Sequence, residues 1–348
     1  MRIFATSIRM ALLALPILLC PATTSRGDTY SWENLQSDIA GVAEHVDPNL
    51  VNAWGMTASA NGTIWVSDNG TGVSTLYRQD GSAVSLVVTV PARDKNKTGT
   101  PTGVIFNSSS SFPVTSNGKT QPARFIFVSE DGIVSGWNPQ VDPMNAVIAT
   151  KPKGDNVYKG VALGMANGHN FLFATDFHQA QIDVYDENFN LVKTNAFNDP
   201  SIPKGFAPFN IRNFNGELFV TYAKQSGDKR DDVDGPGNGF IAVFDTSGNL
   251  LRHLVSNGNL NSPWGMTIVD GELWVGNFGD GTIHNYDPMT GAFLETISRA
   301  DGSPLVFDGL WDLMLLNEKI FFTAGIADEE HGLFGVITED EPAPTSTR

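Results

Sequence analysis

Short runs of apolar residues recur along the chain, and each ends in a small or polar residue. Six of them align: Ile64-Trp-Val-Ser-Asp68, Ile126-Phe-Val-Ser-Glu130, Leu172-Phe-Ala-Thr-Asp176, Leu218-Phe-Val-Thr-Tyr222, Leu273-Trp-Val-Gly-Asn277 and Ile320-Phe-Phe-Thr-Ala324. Their last positions follow one another at intervals of 46 to 62 residues. A shorter strand precedes each run, at Trp54-Gly-Met56, Thr102-Gly-Val104, Gly160-Val-Ala162, Phe209-Asn-Ile211, Trp264-Gly-Met266 and Trp311-Asp-Leu313. In five repeats a third strand ends in an aromatic residue: Tyr77, Trp137, Tyr185, Phe244 and Tyr286. Turns such as Asp80-Gly81, Ser247-Gly248 and Thr290-Gly291 follow, which is hairpin chemistry. A fourth strand then closes each unit, as at 84–90 or 250–255. Four strands in a repeat of about 40–50 residues predict an all-β, six-bladed β-propeller.

The sixth repeat breaks the pattern. After Gly332-Leu-Phe-Gly-Val-Ile337 the chain enters a Glu- and Pro-rich tail without a fourth strand. Residues 30–39 belong to no other blade and are predicted to pair with 332–337, closing the ring and removing its exposed edge. Two repeats are over-long. Residues 107–121 extend the first hairpin of blade two, and residues 225–239 extend the turn between the second and third strands of blade four. These turns lie on opposite faces of a propeller, and insertions of this kind often mark the working face. The Ser-rich first loop reads as flexible padding. The Asp/Gly-rich second loop carries more chemistry.

The N-terminus is set apart from this repeat. Arg2 and Arg9 precede the apolar run 10–19, followed by Cys20-Pro-Ala-Thr-Thr-Ser25. That order predicts a signal peptide over 1–25, with a mature chain beginning between Thr23 and Thr29. The run is shorter than the roughly 20 apolar residues a membrane span needs. The propeller is assigned to 29–338 and a disordered tail to 339–348. Cys20 is the only cysteine, so the processed chain has no disulfide or thiol chemistry. A net charge of −16 repels nucleic acid and anionic lipid and suits cations or basic partners. A secreted or periplasmic monomer, without stable membrane insertion, is the expectation.

Three groups of residues carry candidate chemistry. Asp68, Glu130, Asp176 and Asn277 end second strands on one face, where converging oxygens could hold Ca²⁺ or move protons. The plainer reading is that each caps its own strand turn. Asp231, Asp232 and Asp234 sit in the Asp/Gly loop, whose glycines let a backbone wrap a ligand. The loop is not an EF-hand, because aligning Gly235 with the invariant turn puts Arg230 at the first ligand position. A solvated acidic loop, bridged by Lys229 and Arg230, is the alternative. His178 and His331 fall in turns on the same face, either as bases or as turn hydrogen-bonders. Trp54, Trp264 and Trp311 on the innermost strands read as packing between blades, with ligand stacking as the alternative.

Several strings occur together: Asn52-Ala-Trp-Gly-Met56, Ala174-Thr-Asp-Phe-His178, Gly205-Phe-Ala-Pro-Phe-Asn-Ile211, Gly235-Pro-Gly-Asn-Gly239, Asp308-Gly-Leu-Trp311 and His331-Gly-Leu-Phe-Gly335. On these the chain resembles a family of uncharacterised exported bacterial propeller proteins, some with PEP-CTERM-type sorting tails. Its own tail, Glu341-Pro-Ala-Pro-Thr-Ser-Thr-Arg348, has no apolar or basic sorting segment, which favours free secretion. A more distant resemblance, in the cadence of Ser262-Pro-Trp-Gly-Met266, is to NHL-type, TolB-like and gluconolactonase/regucalcin propellers. That last group implies carboxylates at the start of the innermost strands. The matching column here reads Trp54, Thr102, Lys159, a Pro208/Phe209 pair, Trp264 and Trp311, and contains none. Two functions are therefore expected. One is a module binding a small ligand or an extracellular protein through the face of Asp176, His178, Asp231, Asp232 and His331. The other is a hydrolase or lyase on that face, with Ca²⁺ as the candidate cofactor.

Overall fold

The computed structural model describes residues 28–150 and 154–340. The predicted signal peptide, Cys20 and most of the predicted tail lie outside these residues. Six sheets follow one another around an axis, antiparallel except where the short strand His45–Val46 lies parallel to Tyr30–Ser37 at the edge of the last, with no helix among the described residues. Blade one is formed by Ala53–Ala58, Ile64–Asp68, Val73–Tyr77 and Val88–Thr89, in that order from axis to rim. Blade six takes three strands from the C-terminal end, Leu310–Leu316, Lys319–Ala324 and Leu333–Glu339. Its fourth is Tyr30–Ser37, antiparallel to Leu333–Glu339 from the pair Tyr30 and Glu339 to the pair Ser37 and Leu333. Glu339, assigned to the tail from sequence, is thus the last residue of a strand.

Alternation within the strands explains the packing. Each face of a blade presents apolar residues to a neighbour, giving six wedge-shaped cores between blades. Trp65, Leu76 and Val88 meet Val104, Phe125 and Phe127 between blades one and two. Leu35, Met56 and Val66 meet Phe321 and Phe334 across the closure. The outer strands of blades one to three are only two residues long. The Ser-rich loop is not padding. It folds into the hairpin Pro113–Ser116 and Lys119–Pro122, and Phe112 and Val114 fill the core between blades two and three. Asn107 anchors it by donating to the carbonyls of Ser111 and Ala123.

A bulge recurs in every innermost strand. Two residues face one on the second strand at Trp54-Gly55, Thr102-Gly103, Lys159-Gly160, Trp264-Gly265 and Trp311-Asp312, and Phe209 is the extra residue in blade four. A bulge re-aims a side chain and interrupts the ladder. Trp54, Phe209, Trp264 and Trp311 gather with Phe177 in one buried axial cluster. Threonines take up backbone groups that the bulges free: Thr175 Oγ1 accepts from the Gly160 amide at 2.7 Å, and Thr102 Oγ1 donates to the Tyr158 carbonyl at 2.8 Å. The residue after the bulged one nearly touches the next blade. At Gly265 a Cβ would stand 2.6 Å from the Trp311 carbonyl oxygen, so only glycine fits. Blades four and six place Asn210 and Asp312 there instead. Asn210 donates to the Trp264 carbonyl at 2.9 Å, and Asp312 accepts from the Met56 amide at 2.8 Å.

Candidate functional site

The aromatic cluster plugs the axis and forms the floor of a pocket. Trp54 and Trp311 stack with centroids 3.5 Å apart, Trp264 meets both edge-on, and Phe278 lies over Trp311 at 4.1 Å. The Trp54, Trp264 and Trp311 side chains are almost wholly buried, so packing is their first role; partly exposed Phe278 adds an aromatic face to the pocket. Above the floor is a cavity of about 430 Å³. Its walls include Glu130, Lys159, Asp231, Asp232, Asp234, Asp308, Asp328 and Glu329, so seven carboxylates face a single ammonium.

Lys159 owes its place to the blade-three bulge, which turns it from the sheet toward the axis. Its Nζ donates to Glu130 Oε1 at 2.5 Å, stands 3.5 Å from Asp231 Oδ1 and lies 4.9 Å from the Trp54 ring centre. Burial opposes the charge on both partners, but their mutual attraction wins. The Lys159 ammonium is held above its ordinary range and the Glu130 carboxyl below its own. Asn69 supports the pair by donating to Glu130 Oε2 at 3.0 Å. Asp232 and Glu329 behave differently. Burial pushes both carboxyls up; Lys159 only partly opposes this at Asp232, as Asn52 does at Glu329. Asn52 donates to Glu329 Oε2 at 2.7 Å and accepts from Trp311 Nε1 at 3.1 Å, tying the rim to the floor.

Two loops bring the acids inward. Residues 225–239 are pinned to three blades: Gln225 Nε2 donates to the Phe177 carbonyl at 2.6 Å, Arg230 to the Glu130 carbonyl at 3.4 Å, and the Gly235 amide to Asn261 Oδ1 at 2.6 Å. The buried lysine beside Asp231 is Lys159, not a lysine of the loop itself. In blade six, Ala327, Asp328 and Glu329 are three successive left-handed residues, with φ of 55°, 54° and 64°. Such backbone is costly for residues other than glycine and clusters where ligands are handled.

The residues expected to act together are divided by the fold. Asp231, Asp232 and Glu130 line the pocket, whereas Asp176, His178 and His331 do not. Asp176 is buried, accepting from the Val157 and Gln179 amides at 3.2 Å each. His178 is bonded to its neighbour Gln179, and His331 Nδ1 is 2.6 Å from Asp38 Oδ2. The Ca²⁺ column does not form. Asp68 accepts from the Thr75 amide at 2.8 Å, Asn277 from the Asn261 amide at 3.1 Å, and each caps the turn of its own blade. These second strands belong to different blades, and each of the two side chains is taken up by backbone of its own blade. Among the described residues no group of three or more His, Cys, Asp or Glu side chains is placed to hold a metal ion.

No family model matches the chain. Uncharacterized protein L690 of Acanthamoeba polyphaga mimivirus is 33% identical over 318 residues, covering 86% of this chain and 83% of its own. Uncharacterized protein R648 of the same virus is 32% identical over 333 residues, covering 90% and 81%. Among solved structures, a streptogramin B lyase superposes with a TM-score of 0.55 at 13% identity, covering 89% of this chain and 98% of that one. A gluconolactonase from Xanthomonas campestris gives 0.51 at 14%, covering 84% and 87%. These structural likenesses extend to the propeller fold, while the sequence match carries kinship: the chain belongs to the same protein family as the two mimivirus proteins.

Proposed function

We propose that this propeller is a binding module that takes a small organic cation, an amine or guanidinium, in its axial pocket. The observation that carries this reading is the charge of the walls. Seven carboxylates surround one ammonium already engaged by Glu130 and Asp231, over an aromatic face. A ligand cation would supply the missing positive charge, and aromatic rings add cation–π attraction of about 0.5–2 kcal/mol. The apolar run and small-residue exit within residues 1–25 support an exported setting for this binding.

The test is titration calorimetry with spermidine, arginine methyl ester and glucosamine, beside neutral glucose and Ca²⁺. The amines are expected to bind, and an Asp231→Asn, Asp232→Asn protein is expected to lose that binding while keeping its melting temperature. Equal response to glucose and glucosamine would remove the reading. A second reading, an acid–base lyase or hydrolase, is favoured by one observation: burial raises the proton affinity of Asp232 and Glu329 beside a lysine. It predicts turnover of a bound amine ligand, rather than its recovery intact.

A further inference from the structure

A second constellation lies away from the axial pocket, on the outer strand of blade four and the loop before that blade. His253 Nδ1 is 2.6 Å from Asp199 Oδ2, and His253 Nε2 is 2.5 Å from Ser256 Oγ. The Asp199 side chain is fully buried, whereas Ser256 is exposed at the end of the strand Leu250–Ser256. Burial opposes ionisation of Asp199, but the bonds from His253 and the Ser201 amide hold its carboxyl below the ordinary range. A carboxylate at Nδ1 fixes the proton there, which leaves the Nε2 lone pair to accept from the serine hydroxyl. None of these three residues lines the axial pocket.

We propose that Ser256, His253 and Asp199 form a nucleophilic site for short acyl esters. Nucleophile, base and orienting carboxylate stand in hydrogen-bonding sequence, which is the geometric condition for an activated serine. The apolar surface nearby is that of partly exposed Phe206 and Ile202, with buried Phe240 behind it. The Phe240 ring centre is 6.1 Å from that of His253 and 4.8 Å from that of Phe206, and partly exposed Ile202 packs on the same core. Immediately after Ser256 the backbone passes through two left-handed residues, Asn257 at φ 53° and Gly258 at φ 60°. In the reaction, Ser256 Oγ bonds to the acyl carbon and its proton passes to His253 Nε2. The bond from the acyl carbon to the leaving oxygen breaks, and that oxygen takes the proton as an alcohol. Water then attacks the acyl-serine by the same route, releasing the acid and restoring the hydroxyl.

The experiment uses a fluorophosphonate, in which the serine oxygen bonds to phosphorus as fluoride leaves and the proton goes to His253. Peptide mass spectrometry of the full chain is expected to place the label on Ser256. Ser256→Ala should abolish it, and His253→Gln should slow labelling and p-nitrophenyl acetate hydrolysis by about a hundredfold. Amine binding at the axial pocket should be unchanged in Ser256→Ala, so the two sites are judged separately. Because Ser256 is exposed, its substitution leaves the fold intact and serves as the control should His253→Gln lose stability. A folded parent protein unlabelled at Ser256, or equal labelling rates in parent and His253→Gln, would overturn the proposal.

Discussion

Lys159 places its Nζ 2.5 Å from Glu130 Oε1 with only 2% of its side chain exposed, so the ion pair that anchors the axial pocket is buried on the lysine side. Removing one partner of such a pair costs about 3–5 kcal/mol, because the other charge is left without compensation. Lys159→Met is therefore expected to lower stability by roughly 3 kcal/mol. Lys159→Met with Glu130→Gln should recover part of that loss. Urea unfolding of the three proteins checks this, and an additive double variant would contradict it.

The close approach of neighbouring blades gives a second expectation. At Gly265 a Cβ would lie 2.6 Å from the Trp311 carbonyl oxygen and 2.9 Å from the Leu313 amide nitrogen. Both belong to backbone that cannot move without shifting blade six. Gly265→Ala should cost roughly 1–3 kcal/mol through overpacking. Differential calorimetry would show it as a lower melting temperature, and unchanged melting would mean the blades can separate freely.

The ring closure can be tested by taking it apart. Tyr30–Ser37 pairs with Leu333–Glu339 and covers an edge that the sheet would otherwise expose. Deleting residues 28–37 also strips Tyr30 from the core around Trp274 and Leu35 from that around Phe334. Stability should fall by about 3 kcal/mol or more, and the amides of Leu333–Glu339 should exchange hydrogen faster. Protection equal to that of the full chain would contradict the closure.

Repeat spacing made the architecture legible, down to the strand borrowed by blade six, because strand period and turn chemistry are local properties. The pocket was legible only in part. Asp231 and Asp232 stood out as a dense acidic loop, but their partner did not. Lys159 was visible as the one charged residue in the innermost column, yet only the bulge shows that it turns inward to meet Glu130. Glu329 was hidden for the same reason. Its turn is left-handed at three successive non-glycine residues, a conformation that local sequence preference does not signal. Asp68, Asp176 and Asn277 were open to two readings as one column of the alignment, and each accepts from a backbone amide of its own blade, as the capping reading has it.

Asp176 gives a pH dependence of definite sign. Burial raises its carboxyl to about 7, above the value of about 3.9 in an unfolded chain. The folded state then holds the proton more tightly than the unfolded one, so this contribution to stability is complete below about pH 4 and is lost as pH rises through about 7. Asp176→Asn cannot ionise and should flatten that part of the profile. Melting temperatures across this range test it, and equal slopes in parent and variant would count against it.

The raised carboxyls of the axial pocket link cation binding to proton release. Burial is the main cause at both Asp232 and Glu329, so each holds its proton at a pH where an exposed acid has lost it. A bound amine favours the charged carboxylate and must therefore expel a proton when the ligand arrives below that titration. Affinity should rise with pH across the carboxylate range, by at most about tenfold per pH unit for each proton released, and level off once both groups are ionised. Asp232→Asn should remove its share of the slope and lower affinity most at the plateau, where the parent carries the extra charge. Calorimetry of spermidine binding in two buffers of different ionisation enthalpy counts the protons directly. A pH-independent affinity with no proton released would show that the amine does not meet these carboxyls, even if it binds the protein.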